Sequence, residues 1–481
     1  MRSVRNLVAR SLGLGLCVAI GGCSLAPDYA RPQVTGLPEA FKGAAHPEGW
    51  SVAAPADASS RGPWWKVYGD PVLDGLEAQL NTANPDVAVA LARFDASRAL
   101  LQQMGAAELP RVDVDASPTN DRQSNNRPLR GANQPNEYDT RTVGLAAGYE
   151  LDLWGRIRNE IAQGKAQSQA AEADLASARL SLQARLADLY IALRGDDVEA
   201  HVLEDSLKAF GEGRQITQNR MDGGVASGLD VARANAQYAD AQAQGTELRA
   251  QRALVEHAIA TLVGQPASSF SVAAQTTAIA LPVIPLGVPS SLLERRPDIA
   301  AAERRTFAAN AGIGVARAAF FPELSLSAAL GFQDVGHGQL LGKGNRFWAL
   351  GPLASLDVFD GGLRRGREAQ AKAEFDASSA QYRHAVLAAF QQVEDNLTLL
   401  QELGRESQQE GAAADAARQS ETLATNRYNE GVVSYLEVVT AQTAALKAER
   451  TTERVHTRQL QASVDLIRAL GGGWNDHPAN L

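Results

Sequence analysis

Apolar and polar positions along this chain switch from a period of two to a helical period, and they do so twice. Between residues 111 and 117, Val112, Val114 and Ala116 alternate with Arg111, Asp113, Asp115 and Ser117. Between 142 and 152, Val143, Leu145, Ala147, Tyr149 and Leu151 alternate with Thr142, Gly144, Ala146, Gly148, Glu150 and Asp152. A period of two is that of a strand with one apolar face. From residue 155 the pattern is helical: Leu175, Leu182 and Leu189 stand seven apart, with Leu186 and Leu193 interleaved as in a coiled-coil seam. Alternation returns where Leu324, Leu326, Ala328 and Leu330 face away from Ser325, Ser327 and Gly331, and where Trp348, Leu350, Ala354, Leu356 and Val358 share a face. It again gives way to a long helix. The two handovers are Leu151-Asp152-Leu153-Trp154-Gly155-Arg156-Ile157-Arg158 and Leu356-Asp357-Val358-Phe359-Asp360-Gly361-Gly362-Leu363-Arg364.

The elements around the handovers repeat as well. Asn84-Pro85-Asp86 predicts a helix with Asn84 as N-cap and Pro85 in its first turn, stopped at Leu109-Pro110. Arg296-Pro297-Asp298 and Phe321-Pro322 do the same 212 residues later. A long helix is expected over about 155–210, interrupted at Gly195-Asp196-Asp197 and ended near Gly211 and Gly213, with its counterpart over 363–413. Partner helices follow over 227–264 and 434–470. The turns between them match at an offset of 207: Asn219, Arg220, Gly224, Val225, Ser227, Leu229 and Val231 correspond to Asn426, Arg427, Gly431, Val432, Ser434, Leu436 and Val438. The chain is therefore an internal duplication. A helix of about 56 residues is roughly 84 Å long, and its partner about 57 Å. The helix before the first strand fills the deficit, so each repeat supplies two helical tracks of similar height.

Each strand has about ten residues, enough to cross a thin membrane when tilted, with lipid on the apolar side and water on the other. A half-buried sheet of a soluble domain alternates in the same way. Four strands cannot close a barrel, for which about eight is the practical minimum, and lipid does not tolerate open edges. Several copies must then share one barrel under cyclic symmetry. Two copies give eight strands and little lumen, and three give twelve strands and a channel.

Composition adds the compartment. The 481 residues carry a net charge of −9 and no basic patch, which argues against nucleic acid. Arg2, Arg5 and Arg10 precede a short apolar stretch over 12–20, as in a secretory leader. Ile20-Gly21-Gly22-Cys23-Ser24 then resembles a bacterial lipobox, with Cys23 lipidated and Ser24, rather than Asp, in the outer-membrane sorting position. Cys17 lies in the leader, so the mature chain has one cysteine and no internal disulfide. No segment is apolar for long enough to be a transmembrane helix. The expected organisation is a signal peptide over 1–22, a lipidated tether over 23–63, a first repeat over 64–266, a linker over 267–290, a second repeat over 291–474 and a tail over 475–481.

Nothing in the sequence forms an active site. The seven histidines are scattered, no HExxH pair exists, and Glu256-His257 reads as a solvent-facing pair on an alanine-rich helix. Gly211-Glu212-Gly213 lacks the third glycine and the preceding strand of a dinucleotide loop. No catalytic residue, metal ligand or cofactor is expected.

Leu292-Leu293-Glu294-Arg295-Arg296-Pro297-Asp298-Ile299, Phe321-Pro322-Glu323-Leu324-Ser325-Leu326, Phe359-Asp360-Gly361-Gly362 and Ala469-Leu470-Gly471-Gly472-Gly473-Trp474 together resemble the outer membrane factors of tripartite efflux pumps. The likeness is to the lipoprotein branch of NodT and OprM type, relatives of TolC. It implies a homotrimer with a 12-stranded β-barrel over a long periplasmic α-helical barrel in the bacterial outer membrane. It also implies export of small molecules with a periplasmic adaptor and an inner-membrane RND transporter. The hairpin turns of such proteins meet the adaptor; here these are Arg220, Gly224, Ser227 and Asp230, and Arg427, Gly431, Ser434 and Glu437. Charged residues close the periplasmic tip, and Asp415, Arg418 and Glu421 lie in that zone on one helix face. Trp154 and Phe359 fit an interfacial aromatic belt or a packing role inside the junction. A duct for protein or peptide secretion and a structural periplasmic coiled-coil lipoprotein are the alternatives, although the latter leaves the strands unexplained.

Overall fold

One construction is started twice, by unlike residues. The Asn84 side-chain oxygen accepts from the Val87 amide (3.0 Å), capping the helix begun by Pro85, while its Nδ2 donates to the Leu262 carbonyl (2.8 Å). In the second half Arg296 precedes Pro297, and its guanidinium donates to the Ala469 carbonyl (3.0 Å) and to Asp298 (2.7 Å). Leu262 and Ala469 are equivalent at the offset of the hairpin turns. The residue before each half's proline-led helix therefore clasps the last turn of that half's final helix.

The structure is a computed structural model that describes residues 24–34, 63–126, 135–284, 296–336 and 338–472. Its elements are α1 (Pro71–Ala83), α2 (Pro85–Gly105), β1 (Arg111–Arg122), β2 (Glu137–Glu150), α3 (Arg156–Asp222), α4 (Gly228–Leu262), α5 (Pro297–Ala318), β3 (Glu323–Val335), β4 (Arg346–Ser355), α6 (Leu363–Asn429) and α7 (Tyr435–Ala469). The order helix, two strands, long helix, helix occurs twice. The chain divides into two compact units. One comprises Met1–Pro32, Phe94–Ala171 and Ala302–Tyr382, the other Gln33–Arg93, Glu172–Ala301 and Arg383–Leu481.

The first unit contains one antiparallel sheet in the order β1-β2-β3-β4. Directly opposed residues share a face, and the register places like with like. Val114, Leu145, Leu330 and Trp348 form one row across all four strands, and Val112, Ala147, Ala328 and Leu350 the next. On the other face run Asp113, Ala146, Ala329 and Ala349, and Asp115, Gly144, Gly331 and Phe347. β1 and β2 are longer than their apolar alternation, because Thr119 pairs with Thr140 and Asp121 with Tyr138. The polar stretch between the two apolar alternations is thus strand over 118–122 and 137–141. Its polar residues carry the ladder past the point where an apolar face is needed. β4 stops at Ser355, so Leu356 and Val358 lie beyond it.

The second unit is helical, and here the expected boundaries fall short. α3 runs unbroken through Gly195, Gly211 and Gly213 to Asp222, and α6 continues past residue 413 to Asn429. An interior glycine costs a helix only about 1 kcal/mol relative to alanine, and these glycines admit neighbours. A Cβ on Gly213 would stand 2.9 Å from the Tyr435 hydroxyl, and one on Gly195 would collide with Thr457. The Asp196-Asp197 pair is not a break either. Asp197 is buried and accepts from Arg194 (3.0 Å), Arg252 (2.6 Å) and the Gln275 amide (3.1 Å). The same cluster fastens the segment after α4. Arg194 donates to the Ala273 carbonyl (2.8 Å), Arg252 to the Val272 carbonyl (2.8 Å), and Glu256 accepts from the Val272 amide (2.7 Å). Glu256 is therefore a fastener, not a solvent-facing residue, whereas His257 is exposed.

Candidate functional site: sheet face, junction and hairpin turns

The sheet offers two surfaces of opposite character. Val112, Val114, Leu330, Trp348 and Leu350 are all exposed large hydrophobic residues, Trp348 at 79%. A continuous apolar face of this size needs a cover. The opposite face is small and polar apart from Phe347, Leu353 and Val335, and Phe347 lies over two opposed glycines. A Cβ on Gly331 would stand 3.0 Å from its ring and one on Gly144 3.5 Å. The outer edges of β1 and β4 pair with no strand among the described residues. Left bare, such edges template association with another chain.

At the junction, a strand end becomes a helix start within a few residues, and a carboxylate makes each start. In the first handover the Asp152 carboxylate accepts from the amides of Ile157 (3.1 Å) and Arg158 (3.0 Å) and from Arg158 Nε (3.0 Å). It satisfies the first orphan donors of α3. Gly155 takes φ 74° just before the helix, a conformation that favours glycine. In the second handover the equivalent arginine, Arg364, still reaches the Asp357 carbonyl (2.6 Å), as Arg158 reaches that of Asp152 (3.1 Å). The capping carboxylate, however, is Asp360, which accepts from the Gly362 amide (2.9 Å), the Arg364 amide (3.1 Å) and Arg364 Nε (2.6 Å). The extra residue in this copy moves the cap. Those donors hold the Asp360 carboxyl at about 2. Both handovers line one open cleft that includes Asp152, Trp154, Asp357 and Asp360.

The two candidate interfacial aromatics occupy different surroundings. Trp154 stacks on Phe321 (centroids 4.7 Å apart) and donates its indole N–H to the Pro322 carbonyl (2.8 Å). Phe359 is 91% exposed.

Cys23 lies outside the described residues, but the chain just after it is seated. Ser24 donates to the Asn159 side chain (3.0 Å), Asn310 donates to the Pro27 carbonyl (2.8 Å), and the Tyr29 hydroxyl donates to Glu303 (2.7 Å). Gly314 leaves room for Ala26, which a Cβ there would approach to 2.8 Å. The beginning of the expected tether thus lies against α3 and α5 within the first unit.

The hairpin turns are near copies. Gly224 (φ 77°) donates its N–H to the Met221 carbonyl (2.9 Å), and Gly431 (φ 80°) donates to that of Tyr428 (3.0 Å). Val225, Leu229, Val432 and Leu436 are exposed around them. Ser227 and Asp230 form a reciprocal capping box at the start of α4, whereas the Ser434 side chain makes no cap bond and Glu437 donates its amide to the Ser434 carbonyl (3.2 Å). Arg220 crosses between the turns. Its guanidinium lies 4.3 Å from the Tyr428 ring centroid and donates to the carbonyls of Tyr428 (2.8 Å) and Asn429 (2.9 Å). Arg427, its counterpart, is exposed.

The acidic and basic group near the second hairpin is tied to α7. Arg418 pairs with Glu449 and stands 3.6 Å from Asp415, which is 81% exposed. Glu421 is raised by burial, then by the charge of Glu449, against a hydrogen bond with Gln442.

Two carboxyls set into the helix packing, Glu77 fully buried and Asp188 half-buried, escaped the sequence reading. Glu77 in α1 is fully buried, and neither oxygen finds a hydrogen-bond donor among the described residues. Burial, then Asp74, pushes its pKa up to about 9. Asp188 is pushed up to about 8 by burial and then by Asp465. Neither sits in a motif, so only packing reveals them.

An open sheet with a bare apolar face, two edges unpaired among the described residues and strands that pass directly into long helices fits an outer-membrane channel. The chain belongs to the outer membrane efflux protein family, whose description is "Outer membrane efflux protein" and whose profile matches residues 77–265 and 288–472. The toluene efflux pump outer membrane protein TtgC of Pseudomonas putida is 32% identical over 460 residues, covering 95% of this chain and 93% of its own. Outer membrane protein OprJ of Pseudomonas aeruginosa is 30% identical over 465 residues, covering 96% and 95%. Among solved structures, the outer-membrane channel OprN aligns with TM-score 0.81 at 33% identity, over 94% of this chain and all of its own.

Proposed function

We propose that the chain is one subunit of a homotrimeric outer-membrane duct that passes small molecules, including toxic compounds and drugs, out of the cell. The observation that carries this reading is the sheet: one continuous apolar face, one mostly small and polar face and two edges without partners among the described residues. Three copies supply twelve strands, closing the edges and enclosing a water-filled lumen behind a lipid-facing wall. The names of TtgC and its relatives, which refer to toluene, antibiotic and solvent efflux, support the class of cargo. The family is one of transport ducts, and no catalytic step is assigned to this chain.

In the proposed assembly a periplasmic adaptor meets the hairpin turns, with Arg220, Gly224, Ser227 and Asp230 on one and Arg427, Gly431, Ser434 and Glu437 on the other. An inner-membrane RND transporter supplies the cargo. Exposed Val225 and Val432 at matching positions support two similar contacts per subunit. Asp415, Arg418 and Glu421 act near the closed end of the tube. Trp154 braces the strand-to-helix junction, and Phe359 reaches the membrane interface. Cys23 carries the lipid, which the seating of residues 24–29 on α3 and α5 would hold beside the junction. Residues 1–22 are the leader, 64–266 and 291–474 the two repeats, 267–290 the segment between them and 475–481 the tail. Planar-bilayer recording from purified protein tests the duct: discrete conductance steps are expected, and a silent bilayer from well-folded oligomer contradicts it.

A further inference from the structure

Resting on that ring of copies, we infer that the second handover fastens the next copy at the strand-to-helix junction. The Phe359 ring would lie on the partner's Leu109 and the partner's Pro110, and the Asp357 carboxylate would pair with the partner's Arg111. The pattern for this contact is inside the chain. Trp154, the counterpart of Phe359, stacks on Phe321 (centroids 4.7 Å apart) and donates to the Pro322 carbonyl (2.8 Å), so the first handover grips the residues that open β3. Phe321-Pro322 corresponds to Leu109-Pro110, which opens β1. Phe359 and Leu109 stand at the two outer edges of the sheet, and both are exposed. Closing a ring brings the next copy's β1 against β4 and carries the internal contact across the seam.

The free edges agree on a register. Inside the chain Tyr149 stands opposite Leu326 and Leu145 opposite Leu330. Leu151 corresponds to Leu356 and Leu324 to Val112. The same pairing between copies sets Ala354 opposite the partner's Val114 and Leu350 opposite the partner's Pro118, which keeps the apolar face continuous across the seam. Hydrogen bonding supports this independently. The Gln123 amide donates to the Asn136 carbonyl where β1 meets β2 (2.7 Å), and the Leu151 amide to the Leu324 carbonyl where β2 meets β3 (2.8 Å). Alternate residues of an antiparallel ladder bond to alternate sides. The even-numbered residues of β1 and of β4 therefore turn their peptide groups to the open edges, and these are the residues that the register brings together. Pro118 and Pro352, which lack an N–H, both stand at such positions, where no bond inside the sheet is lost.

The register also explains why the helix cap moves in the second handover. Continued past β2 and β3, the internal pairing brings Asp152 towards Glu323, a like charge, and Asp152 is engaged at the start of α3. Its counterpart Asp357 comes opposite the partner's Arg111, an opposite charge. The inserted residue hands capping to Asp360, so the exposed Asp357 carboxylate has no hydrogen bond or ion pair among the described residues. Arg111 is exposed and holds Asp113 through Nε (2.9 Å), which leaves its terminal nitrogens for a second carboxylate. Phe359 lacks the indole N–H of Trp154. The contact between copies is therefore apolar and ionic, where the internal one is apolar and hydrogen-bonded.

The test is a double-cysteine variant, Asp357→Cys with Arg111→Cys, in the full-length lipidated protein, where Cys23 is blocked by its thioether. Opposed residues that share no ladder bond have Cα atoms about 4.5 Å apart, within reach of a disulfide. Oxidation is expected to give covalent dimers and trimers on heated, non-reducing gels. Asp357→Cys with Asp113→Cys, two residues along the same strand, is the register control, with a yield several-fold lower. An equal or greater yield from the control overturns the inference, as does monomer alone from the 111/357 pair beside unheated trimer. Phe359→Trp tests the aromatic contact without cysteines. Its added N–H can donate to the partner's Pro110 carbonyl, so trimers should survive in SDS several-fold longer, and Leu109→Ser should cancel the gain. An unchanged lifetime, or a gain that persists with Leu109→Ser, overturns the contact and assigns the ring to lipid. Absence of any trimer in unheated wild-type samples overturns the ring itself.

Discussion

Glu77 provides a quantitative test of the helical packing. Its side chain is fully buried in α1, without a hydrogen-bond donor to either oxygen among the described residues, and its pKa rises from 4.5 to about 9. The folded protein then keeps a proton that the unfolded chain releases. The stability tied to this group is fully present below about pH 4.5 and is lost progressively as pH rises toward 9. At about 1.4 kcal/mol per pH unit, the loss between pH 5 and pH 8 is on the order of 4 kcal/mol. Glu77→Met keeps the length and apolar stem of the side chain and removes the titration. Thermal denaturation of detergent-solubilised protein at fixed concentration, at pH 5, 6.5 and 8, reads the difference. Wild type should lose midpoint temperature relative to the variant at each step upward in pH. Asp188, raised by its own burial, is common to both proteins and cancels. Parallel pH dependences in the two would refute a protonated Glu77.

Three further outcomes are expected. Asp197→Ala strands the buried Arg194 charge and releases the Gln275 amide, a loss of about 3–5 kcal/mol. Limited proteolysis should then cut within residues 270–284, and unchanged cleavage would count against the network. Replacing Gly224 and Gly431 with leucine places bulk where an added Cβ would meet no atom of the described residues within 4 Å, at φ values that L residues rarely adopt. Export should fail while SDS-resistant oligomers persist, and normal drug resistance would remove the turns from adaptor contact. Asp415→Ala should raise single-channel conductance, and an unaltered trace excludes it from the closed tip.

The sheet was the most legible part of the chain. Val112, Val114, Leu145, Leu330, Trp348 and Leu350 alternate clearly, and the observed register gathers them on one face. Helix lengths were less legible, because Gly195, Gly211 and Gly213 look like breakers and serve instead where helices approach closely. Whether a glycine ends a helix or admits a neighbour depends on what lies across from it, which no local pattern carries. At the junction the first cap, Asp152, falls within the repeated motif, but the second passes to Asp360 through a single inserted residue. Arg220 was visible as a turn residue, while its grip on Tyr428 and Asn429, over 200 positions away, was not. Asn84 and Arg296 show the converse: equivalent positions with different side chains reach equivalent carbonyls, so sequence identity understates the repeat.

The most direct test of the whole account is the mass of the oligomer extracted from outer membranes in mild detergent. Native mass spectrometry should give three chains, collapsing to one on heating in SDS. A stable, folded single chain, with both sheet edges unpaired in detergent, would contradict the shared barrel on which the proposed duct depends.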